Sequence, residues 1–589
     1  GWFNTSPVEF IKIVDTTVYA TMGVPGGGLF SIPHRLLRHF FILHIPKYNH
    51  STVFTIISNL MNQRFKSHQP CIKEILDQTV EATLEIFEKC TQNLLPIPSK
   101  LHYIFNLRNI VRVIKGMLLV QASLINNEEY FIKLWFHEMN RELNDRFNSD
   151  EDRKWFNEQM ILAVKNHFKQ SWETINEDDF LMFNEFADGA QRYHEITMKP
   201  EQVLSACNTT LEEHNKDATK TVDIVLFQEA VDHLSSLSRL FTMQRGHALL
   251  VGVKSSGRKS LARLALHIAS IDPFEIAITR TYGFTEWRED IKNLLKQCGV
   301  QDIATGFIIT DVQIIMQQQL EDLSNLMINC EIPRLFERDE MEAIKAELAQ
   351  SEMVMDADYE QMFKERCRRN LHIILVFSPY GNVFKDSMLS FPSIRNETTI
   401  DWYMPWSQDA LESVAKASIS KGTDASPSDV NSIVSVCVKI HKSVEEMATK
   451  FLKETKRFTA VTPSRYFELL TTFTNKLVQK QKENSEQIKN YENGVTKITT
   501  TRKQIESMSK QLDHDIPILQ KTREDVEKVL QDLTIKRGEV EETRKEVQLK
   551  SEIAEKEAEE AAEANRIAQE QLELAQPLLR GAQEAVQRL

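Results

Sequence analysis

The C-terminal part of this 589-residue chain carries a long heptad pattern, which constrains its fold more than any other feature. From about residue 476, apolar residues recur at steps of three, four or seven, with charged residues between them. The first of them are Ile488, Tyr491, Val495, Ile498 and Ile505. This spacing places one apolar stripe along an α-helix and is typical of a coiled coil. About 110 residues of helix would reach roughly 165 Å.

A single helix with such a stripe needs a partner helix, and no other segment of the sequence carries a matching pattern. The partner is therefore either a second copy of the chain or a return helix beyond Leu589. Pro517 and Pro577 each remove one helical hydrogen bond, so they predict kinks or register breaks.

Two features favour an antiparallel return helix over a parallel homodimer. The stripe becomes alanine-rich beyond residue 554, which permits close approach of the helices and specifies their register weakly. Polar residues also interrupt the stripe where a maximally stable zipper has leucine: Arg502, Arg523 and Arg537. A pair of helices with two registers of similar free energy would be a bistable mechanical element.

Upstream of residue 476, apolar runs of strand length alternate with helical segments, which predicts a parallel α/β sheet. The first 50 residues suggest strand, loop, helix and strand, and residues 51–200 are mostly helical by period. We expect an amphipathic helix at 220–240 and a helical surface insertion at 339–370. The strongest strand candidates are HALLVGV (247–253), FIITD (307–311) and LHIILVF (371–377).

A repeated pattern suggests two tandem modules. A strand ending in a Gly/Pro-rich loop occurs near Gly23 and near Ser378, and a helix opening follows at Arg108 and at Arg465. The separations are similar, 108 − 23 = 85 and 465 − 378 = 87. The alternative is a chance similarity between generic α/β segments.

Length and composition narrow the class of protein. The chain is too long for a single core, so several units are expected. Its formal charge of −13 argues against nucleic acid as the main partner. No apolar run reaches the ~18–20 residues that cross a bilayer, so no membrane partner is expected. The seven cysteines are scattered without a CxxC motif, as in reduced proteins of a cytosolic-type compartment.

The stretch GVKSSGRKS resembles a phosphate-binding loop but departs from its rule. Gly252 and Gly257 are spaced as in GxxxxGK[ST], yet Arg258 and Lys259 stand where Lys and Ser/Thr belong. An arginine can still pair with phosphate, whereas a protonated amine cannot ligate Mg²⁺. Ser260 would serve as that ligand only if the turn shifted by one residue. The alternative is a plain strand–loop–helix corner.

The strand FIITD supplies a second part of such a site. Asp311 is placed to hold Mg²⁺ directly or through water, but Val312 follows where hydrolysis needs a glutamate to activate water. Ser378 is the candidate polar residue on a neighbouring strand. Binding is therefore expected and hydrolysis is not. The predicted nucleotide-binding residues are Gly252, Ser256, Gly257, Arg258, Lys259, Ser260 and Asp311.

These segments together resemble the motor region of dynein heavy chains, along essentially the whole chain. The resemblance rests on ATMGVPGGG…RLLRHF (20–40), HYIFNLRNIVRVIKGML (102–118), LFQEAVDHLSSLSRLF…GHALLVGV (226–253), GFIITDVQIIMQQQLEDLSNLMINCEIPRLF (306–336), SPYGNVFKDSMLSFPSIRNETTIDWYMPW (378–406) and VTPSRYFELLTTFTNKLVQKQ (461–481). The loop form SGRxS, and TD without a following Glu, resemble axonemal rather than cytoplasmic dyneins.

The resemblance implies roles for several further residues. Arg38 matches the third AAA+ module's arginine finger, and Arg108 matches that module's sensor-2 arginine. Ser378 replaces a sensor-1 asparagine in the fourth module. Arg395 lies two residues before Glu397, which stands where some family members have a finger. Arg465 is adjacent to the fourth module's sensor-2 position, where Ser464 stands.

The fold implied by the resemblance is a set of α/β AAA+ modules, each a P-loop parallel sheet with a helical lid, followed by a long coiled-coil stalk arm. The expected boundaries are 1–50 for the end of the third large subdomain and 51–205 for its lid and connector. The fourth large subdomain would cover 206–408, its lid 409–475 and the outgoing stalk helix 476–589.

The function implied is part of an ATP-driven microtubule motor of the cilium or flagellum axoneme. ATP or ADP is the implied cofactor, with Mg²⁺ at Asp311. The implied partners are the remaining AAA+ modules, the antiparallel return stalk helix, microtubules through the stalk tip, and dynein intermediate and light chains. Two alternatives remain at this point. One is a non-motor AAA+ remodelling ATPase with a coiled-coil arm, and the other is a nucleotide-free structural coiled-coil tether.

Overall fold

The computed structural model describes residues 2–5, 7–23, 32–176, 180–189, 192–217, 221–351, 358–422 and 427–535, with a few isolated residues between 554 and 566. Its contacts divide the chain into two units, Gly1–Thr472 and Phe473–Leu589. No helix among the described residues is both long and apolar enough to cross a membrane.

The first unit begins with two short strands and a helical layer. The strands β1 (Trp2–Thr5) and β2 (Val8–Ile11) pair antiparallel. The helices of this layer are α1 (His34–Leu37), α2 (His50–Arg64), α3 (Pro70–Asn93), α4 (Leu107–Met117), α5 (Glu128–Met139), α6 (Asp150–Ala163) and α7 (Trp172–Ile175), with π-helical turns at Asn140–Asn144 and Val164–Phe168. We call α2–α7 the N-terminal lid. Its core is built from apolar and aromatic side chains of α2–α6, including Trp135 and Phe156.

The prediction for the first 50 residues was wrong in part. Of the expected first strand, residues 11–22, only Ile11 is paired, as the last residue of β2, and residues 41–49 form no strand. A strand needs a neighbour for its backbone hydrogen bonds, and none of the described residues offers one to this segment. Phe41 and Leu43 are accordingly exposed. Part of the loop between these segments, residues 24–31, lies outside the described residues.

A five-stranded parallel sheet forms the centre of the first unit, as the sequence predicts. After β3 (Phe183–Asn184) and β4 (His194–Glu195), its strands are β5 (His247–Val251), β6 (Asp272–Glu275), β7 (Thr305–Thr310), β8 (Leu371–Phe377) and β9 (Thr398–Trp402). Their spatial order is β6-β7-β8-β5-β9. The inner strands β5, β7 and β8 are apolar on both faces because helices cover both sides of a parallel sheet.

Helices on both sides of the sheet complete three layers. One side carries α8 (Pro200–Asp217), α9 (Gln228–Phe241) and α10 (Arg258–Ile268). The other carries α11 (Phe284–Gly299), α12 (Gln317–Asn329), α13 (Arg338–Ser351), α14 (Tyr359–Asn370), α15 (Asn382–Ser390) and α16 (Pro392–Asn396). Alternate residues of each strand enter the two cores: Ala248 and Leu250 face the first, Leu249 and Val251 the second.

Two helical predictions need correction. The helix expected at 220–240 begins only at Gln228, because residues 221–227 run as an irregular segment beside the site described below. The described residues of the acidic stretch 339–370 form the helices α13 and α14, but these helices are not confined to the surface. Leu348 of α13 and Phe363 and Cys367 of α14 are buried in the second core.

A second lid follows the sheet. It consists of α17 (Gln408–Gly422), α18 (Pro427–Thr455) and the first residues of α19 (Pro463–Ile535). We call this segment, residues 408–472, the C-terminal lid. The Tyr466 hydroxyl donates to the Leu411 carbonyl at 3.1 Å, which fastens the start of α19 to α17.

The second unit, as far as it is described, is the continuation of α19. This helix is 73 residues long and continues through Pro517, so the kink or register break predicted there does not end the helix. The apolar stripe is exposed, as in Ile488, Val495 and Leu512, and none of the described residues covers it. Pro577, Arg537 and most of the alanine-rich part also lie outside them. The coiled-coil pairing therefore stays a prediction.

Candidate nucleotide-binding site

The loop between β5 and α10 has the backbone shape that the glycine spacing predicts. A Cβ atom on Gly252 would lie 2.7 Å from Tyr403 Cβ, so only glycine fits there. Gly257 has φ +88°, in the left-handed region that favours glycine, and it caps the N-terminus of α10. The first backbone N–H groups of a helix are unpaired and lie at its positive end. The loop therefore forms the framework of an anion site.

A buried hydroxyl in this loop has no partner. Ser256 is 4% exposed, and its Oγ makes no hydrogen bond to any described residue. Buried polar atoms are nearly always satisfied, so an unpaired hydroxyl at the end of a phosphate-type loop indicates a missing ligand. The Ser256 hydroxyl is thus free to donate to an anion bound in the loop.

Two cavities open on the loop. The larger is about 740 Å³ and is bounded by the loop, the irregular segment 223–227, residues 403–407 and the C-terminal lid. Its volume is within the range of small-molecule sites. The smaller, about 320 Å³, lies between the loop and the end of β7 and reaches Asp311. Ser260 lines both cavities.

Arg258 turns away from the role that was expected for it. Its guanidinium is buried and donates to three backbone carbonyls, those of Leu250, Val253 and Phe377, with the Val253 bond at 3.0 Å. Burial lowers the pKa of Arg258, although Tyr403 and Asp311 act in the opposite direction. The side chain therefore fastens the loop to the ends of β5 and β8. Three of its five N–H donors are used in this way, so its position is set by backbone carbonyls rather than by a phosphate.

Lys259 is also engaged in protein contacts. Its Nζ lies 3.0 Å from Glu275 Oε2, and Arg263 donates to both oxygens of the same carboxylate at 2.7 and 2.9 Å. Burial alone would raise the pKa of Glu275, but the hydrogen bonds from Arg263 and Lys259 outweigh it and hold the pKa at about 2. Sequence reasoning missed Glu275 because the four-residue strand β6 has no clear periodicity.

Asp311 and Ser378 meet as the parallel-sheet prediction requires. Asp311 directly follows β7 and Ser378 directly follows β8, and the Ser378 backbone N–H donates to Asp311 Oδ2 at 3.0 Å. The Ser378 hydroxyl is not the contacting group. Val312 is 69% exposed and offers no base beside Asp311.

The residues at this position do not fit Mg²⁺. In a phosphate loop the metal is held by the hydroxyl after the lysine and by the acidic strand end. Here the hydroxyl is replaced by the Lys259 ammonium, which has no lone pair to donate. One oxygen of Asp311 already accepts a backbone hydrogen bond. The described residues also contain no group of three His, Cys, Asp or Glu side chains placed to hold a metal.

Family models of P-loop and AAA+ lid domains match the same segments that form the sheet, the loop and the lids. The family model described as the P-loop containing dynein motor region D4 matches residues 222–476, an AAA+ lid domain model matches 79–178, and a P-loop containing dynein motor region model matches 1–48. This chain belongs to the dynein heavy chain family.

Among the relatives of this dynein segment, human dynein axonemal heavy chain 6 is 32% identical over 549 residues, which is 91% of this chain and 13% of that protein. Mouse dynein axonemal heavy chain 1 is 31% identical over 559 residues, with 91% and 13% coverage. The dynein-1-beta heavy chain of the flagellar inner arm I1 complex of Chlamydomonas reinhardtii is 32% identical over 525 residues, with 86% and 12% coverage. The chain thus spans about an eighth of the length of these dyneins.

The sensor and finger candidates of this dynein segment lie in different surroundings. Arg108 Nη1 is 3.4 Å from Glu397 Oε1, so the structure brings together two positions 289 residues apart (397 − 108 = 289). Arg395 points inward and donates to the Met388 carbonyl. Arg465 pairs with Glu468 in its own helix, and the exposed Arg38 contacts its neighbour His39. None of these four lines the cavities at the loop.

A polar seam that the sequence did not reveal joins the N-terminal lid to the sheet. Arg112 of α4 donates to the carbonyls of Asn396 at 2.6 Å and Thr398 at 3.0 Å. A fully buried ion pair joins Glu138 of α5 to Arg239 of α9. Both contacts connect residues far apart in sequence, so only sequence covariation would have indicated them.

Proposed function

We propose that this chain is part of an ATP-driven, microtubule-based motor of the ciliary or flagellar axoneme. The support is the dynein motor-region match together with relatives that are named axonemal or flagellar dynein heavy chains. The partners that follow are the remaining AAA+ modules, a return stalk helix, microtubules, and dynein intermediate and light chains. In this scheme the N-terminal lid belongs to the third module, and the sheet with the C-terminal lid is the fourth.

The fourth module, in this proposal, binds ADP or ATP without hydrolysing it and has a regulatory role. One observation carries the proposal: the loop with its unpaired Ser256 hydroxyl opens on a cavity of nucleotide size, while Val312 stands beside Asp311 in place of a base. A nucleotide would be held by the amides at the start of α10. Without a carboxylate to activate water, its γ-phosphate would persist.

Equilibrium nucleotide binding and single-turnover kinetics on the 589-residue chain test this role. We expect saturable binding and no release of phosphate above the background of a Gly257→Val control, whose side chain cannot adopt the turn. Phosphate release that persists in Val312→Ala would show that the catalytic residue lies elsewhere. Absence of binding would reject the site.

A physical connection from this site to α19 supports a role in signalling. Asp311 holds the backbone of Ser378, and two residues later the ring of Tyr380 stacks on Phe458, with ring centroids 4.2 Å apart. Phe458 belongs to the short segment between α18 and α19. A change at the end of β7 would therefore reach the residues that orient the start of α19.

We propose that α19 is one arm of an antiparallel coiled coil that relays this signal by changing register. Cysteine cross-links in the complete heavy chain that lock α19 to the return helix in two alternative registers should give strong and weak microtubule binding, respectively. Equal affinity in the two locked forms, or a parallel dimer of α19 in the intact protein, would contradict the proposal. Single-cysteine variants treated with the same reagent are the control.

A further inference from the structure

We propose that the fourth-module site takes a nucleoside diphosphate without Mg²⁺. This inference rests on the proposed function, since it assumes that the loop binds nucleotide. It goes beyond that function by naming the phosphate count and by excluding the metal. Three features of the loop and its surroundings lead to it: the contacts of Lys259, those of Arg258, and the charge of the cavity.

The metal position is filled by a fixed cation. Lys259 occupies the place of the Mg²⁺-binding hydroxyl, and its ammonium is held 3.0 Å from Glu275. Two positive charges, Lys259 and Arg263, share that carboxylate. A divalent ion beside Asp311 would meet electrostatic repulsion from Lys259 and would find no hydroxyl at position 259 to hold it. Nucleotide would therefore bind as the free anion.

The third phosphate also lacks its usual partner. In a phosphate loop the lysine side chain reaches the β- and γ-phosphates, but Arg258 is committed to three carbonyls under the loop. What remains is the set of backbone amides at the start of α10 and the unpaired Ser256 hydroxyl. These donors lie around the turn itself, which is where the first two phosphates of a nucleotide bind in such loops.

The net negative charge of the larger cavity makes binding less favourable for each additional negative charge on the nucleotide. Its lining contains more acidic than basic side chains: Asp145, Asp150, Asp223, Glu229, Asp232 and Glu445 against Arg141, Arg153, Lys442 and His233. Arg141 pairs with Asp145 at 3.3 Å, so these two side chains together contribute no net charge and the other carboxylates still outnumber the cations. An uncomplexed triphosphate carries one more negative charge than a diphosphate, and no metal offsets it here. The diphosphate is accordingly the better fit.

Calorimetric titration of the 589-residue chain with ADP and with a β,γ-imido ATP analogue, each in Mg²⁺ and in EDTA, tests the inference. We expect the ADP dissociation constant to change by less than about threefold between Mg²⁺ and EDTA, and the triphosphate analogue to bind at least about tenfold more weakly than ADP. A loss of ADP affinity of more than about tenfold in EDTA, or tighter binding of the analogue, would overturn it.

Two variants sharpen the test. Lys259→Thr restores a hydroxyl at the metal position, whereas Lys259→Ala breaks the same contact with Glu275 without adding a ligand. We expect only Lys259→Thr to gain affinity for the analogue when Mg²⁺ is added, and a Mg²⁺ response in both variants or in neither would contradict the assigned role of Lys259. Thermal melting of both variants reports whether they fold, and the wild-type titration stands without them.

No binding of either nucleotide in any buffer would reject the proposed function itself, whereas Mg²⁺-dependent binding would reject only this inference.

Discussion

The two lids of this chain begin alike and then diverge. The helices α2, α3 and α4 start at residues 50, 70 and 107, and α17, α18 and α19 start at 408, 427 and 463. The offsets are nearly constant: 408 − 50 = 358, 427 − 70 = 357 and 463 − 107 = 356. After that, α4 ends at Met117 and the chain turns back into α5, whereas α19 continues to Ile535.

The same register positions of α3 and α18 have opposite surroundings. With an offset of 357, the α3 residues Thr79, Thr83, Phe87 and Cys90 are buried or nearly so, because α5 and α6 cover them. The corresponding residues of α18 form an exposed apolar stripe: Val436, Ile440, Val444 and Met447. The sequence pattern within each lid therefore determines where its helices begin. Whether the outer face of the second helix is buried depends on the residues that follow, such as α5 and α6 in the N-terminal lid.

The largest expected effect on stability tests the packing of α5 on α3. Trp135 of α5 is fully buried, and its Nε1 donates to Thr83 Oγ1 at 2.8 Å. Trp135→Ala should lower the free energy of unfolding of the N-terminal lid by about 3–5 kcal/mol, since it leaves a large cavity. Ile440→Ala, at the register position of Thr83, should change stability by no more than about 0.5 kcal/mol in this chain. Urea unfolding followed by tryptophan-independent circular dichroism measures both.

A similar loss of unfolding free energy for Ile440→Ala would contradict the claim that this face of α18 is exposed in the chain. It would mean that a segment outside the described residues already covers α18 in the 589-residue chain. The same variant in the complete heavy chain gives a direct check, because burial there would raise its cost above the value found in the shorter chain.

The next effect concerns the buried ion pair between the N-terminal lid and the sheet domain. Glu138 and Arg239 are both buried, and a Cβ on Gly116 of α4 would lie 1.6 Å from Glu138 Oε2, so the three residues fit only together. Glu138→Gln leaves the buried guanidinium without its counter-charge and should destabilise the fold by about 3 kcal/mol. The double variant Glu138→Leu with Arg239→Leu should recover most of that loss, because no unpaired charge remains.

Denaturation midpoints of the single and double variants decide between charge and packing. Equal destabilisation in both would show that shape, rather than the uncompensated charge, holds α5 against α9. Gly116→Ala is the matched steric probe, and it should be destabilising even though it removes no charge.

The sequence was sufficient where local pattern decides structure. β8 lies at Leu371–Phe377 as predicted, β7 overlaps its predicted range, and the loop after β5 has its left-handed Gly257. The proximity of Asp311 and Ser378 followed from strand order in a parallel sheet. The strands and the loop depend on residues within one βα unit, whose hydrophobic period and glycines are visible in the chain. The meeting of Asp311 and Ser378 needs only that β7 and β8 are neighbouring parallel strands.

The sequence was insufficient where a distant partner decides the outcome. Arg258 satisfies the Phe377 carbonyl 119 positions away, and Lys259 pairs with an unpredicted strand, so the phosphate loop looked more available than it is. The strand expected near Phe41 fails for the same reason, since it has no neighbour among the described residues. The identity of a side chain at a motif position shows which ligands it could bind. Its contacts with residues distant in sequence decide whether its charged group is available to bind them.

The smallest expected effect separates the two matching arginines of the lids. Arg108 and Arg465 occupy the same position, at an offset of 357, yet Arg108 reaches Glu397 of the sheet domain while Arg465 pairs within its own helix. A double-mutant cycle of Arg108→Ala and Glu397→Ala should give a coupling free energy of about 0.5 kcal/mol, as for partly exposed ion pairs. It should diminish in about 1 M salt, because screening acts on exposed charges. A cycle of Arg465→Ala and Glu397→Ala should give no coupling free energy.

Zero coupling for Arg108 at low salt would mean that Arg112 is the arginine of α4 that stabilises the contact with residues 396–398. Measurable coupling would instead support the proposal that a carboxylate of the fourth module pairs with the third module's sensor-2 arginine and competes there with phosphate.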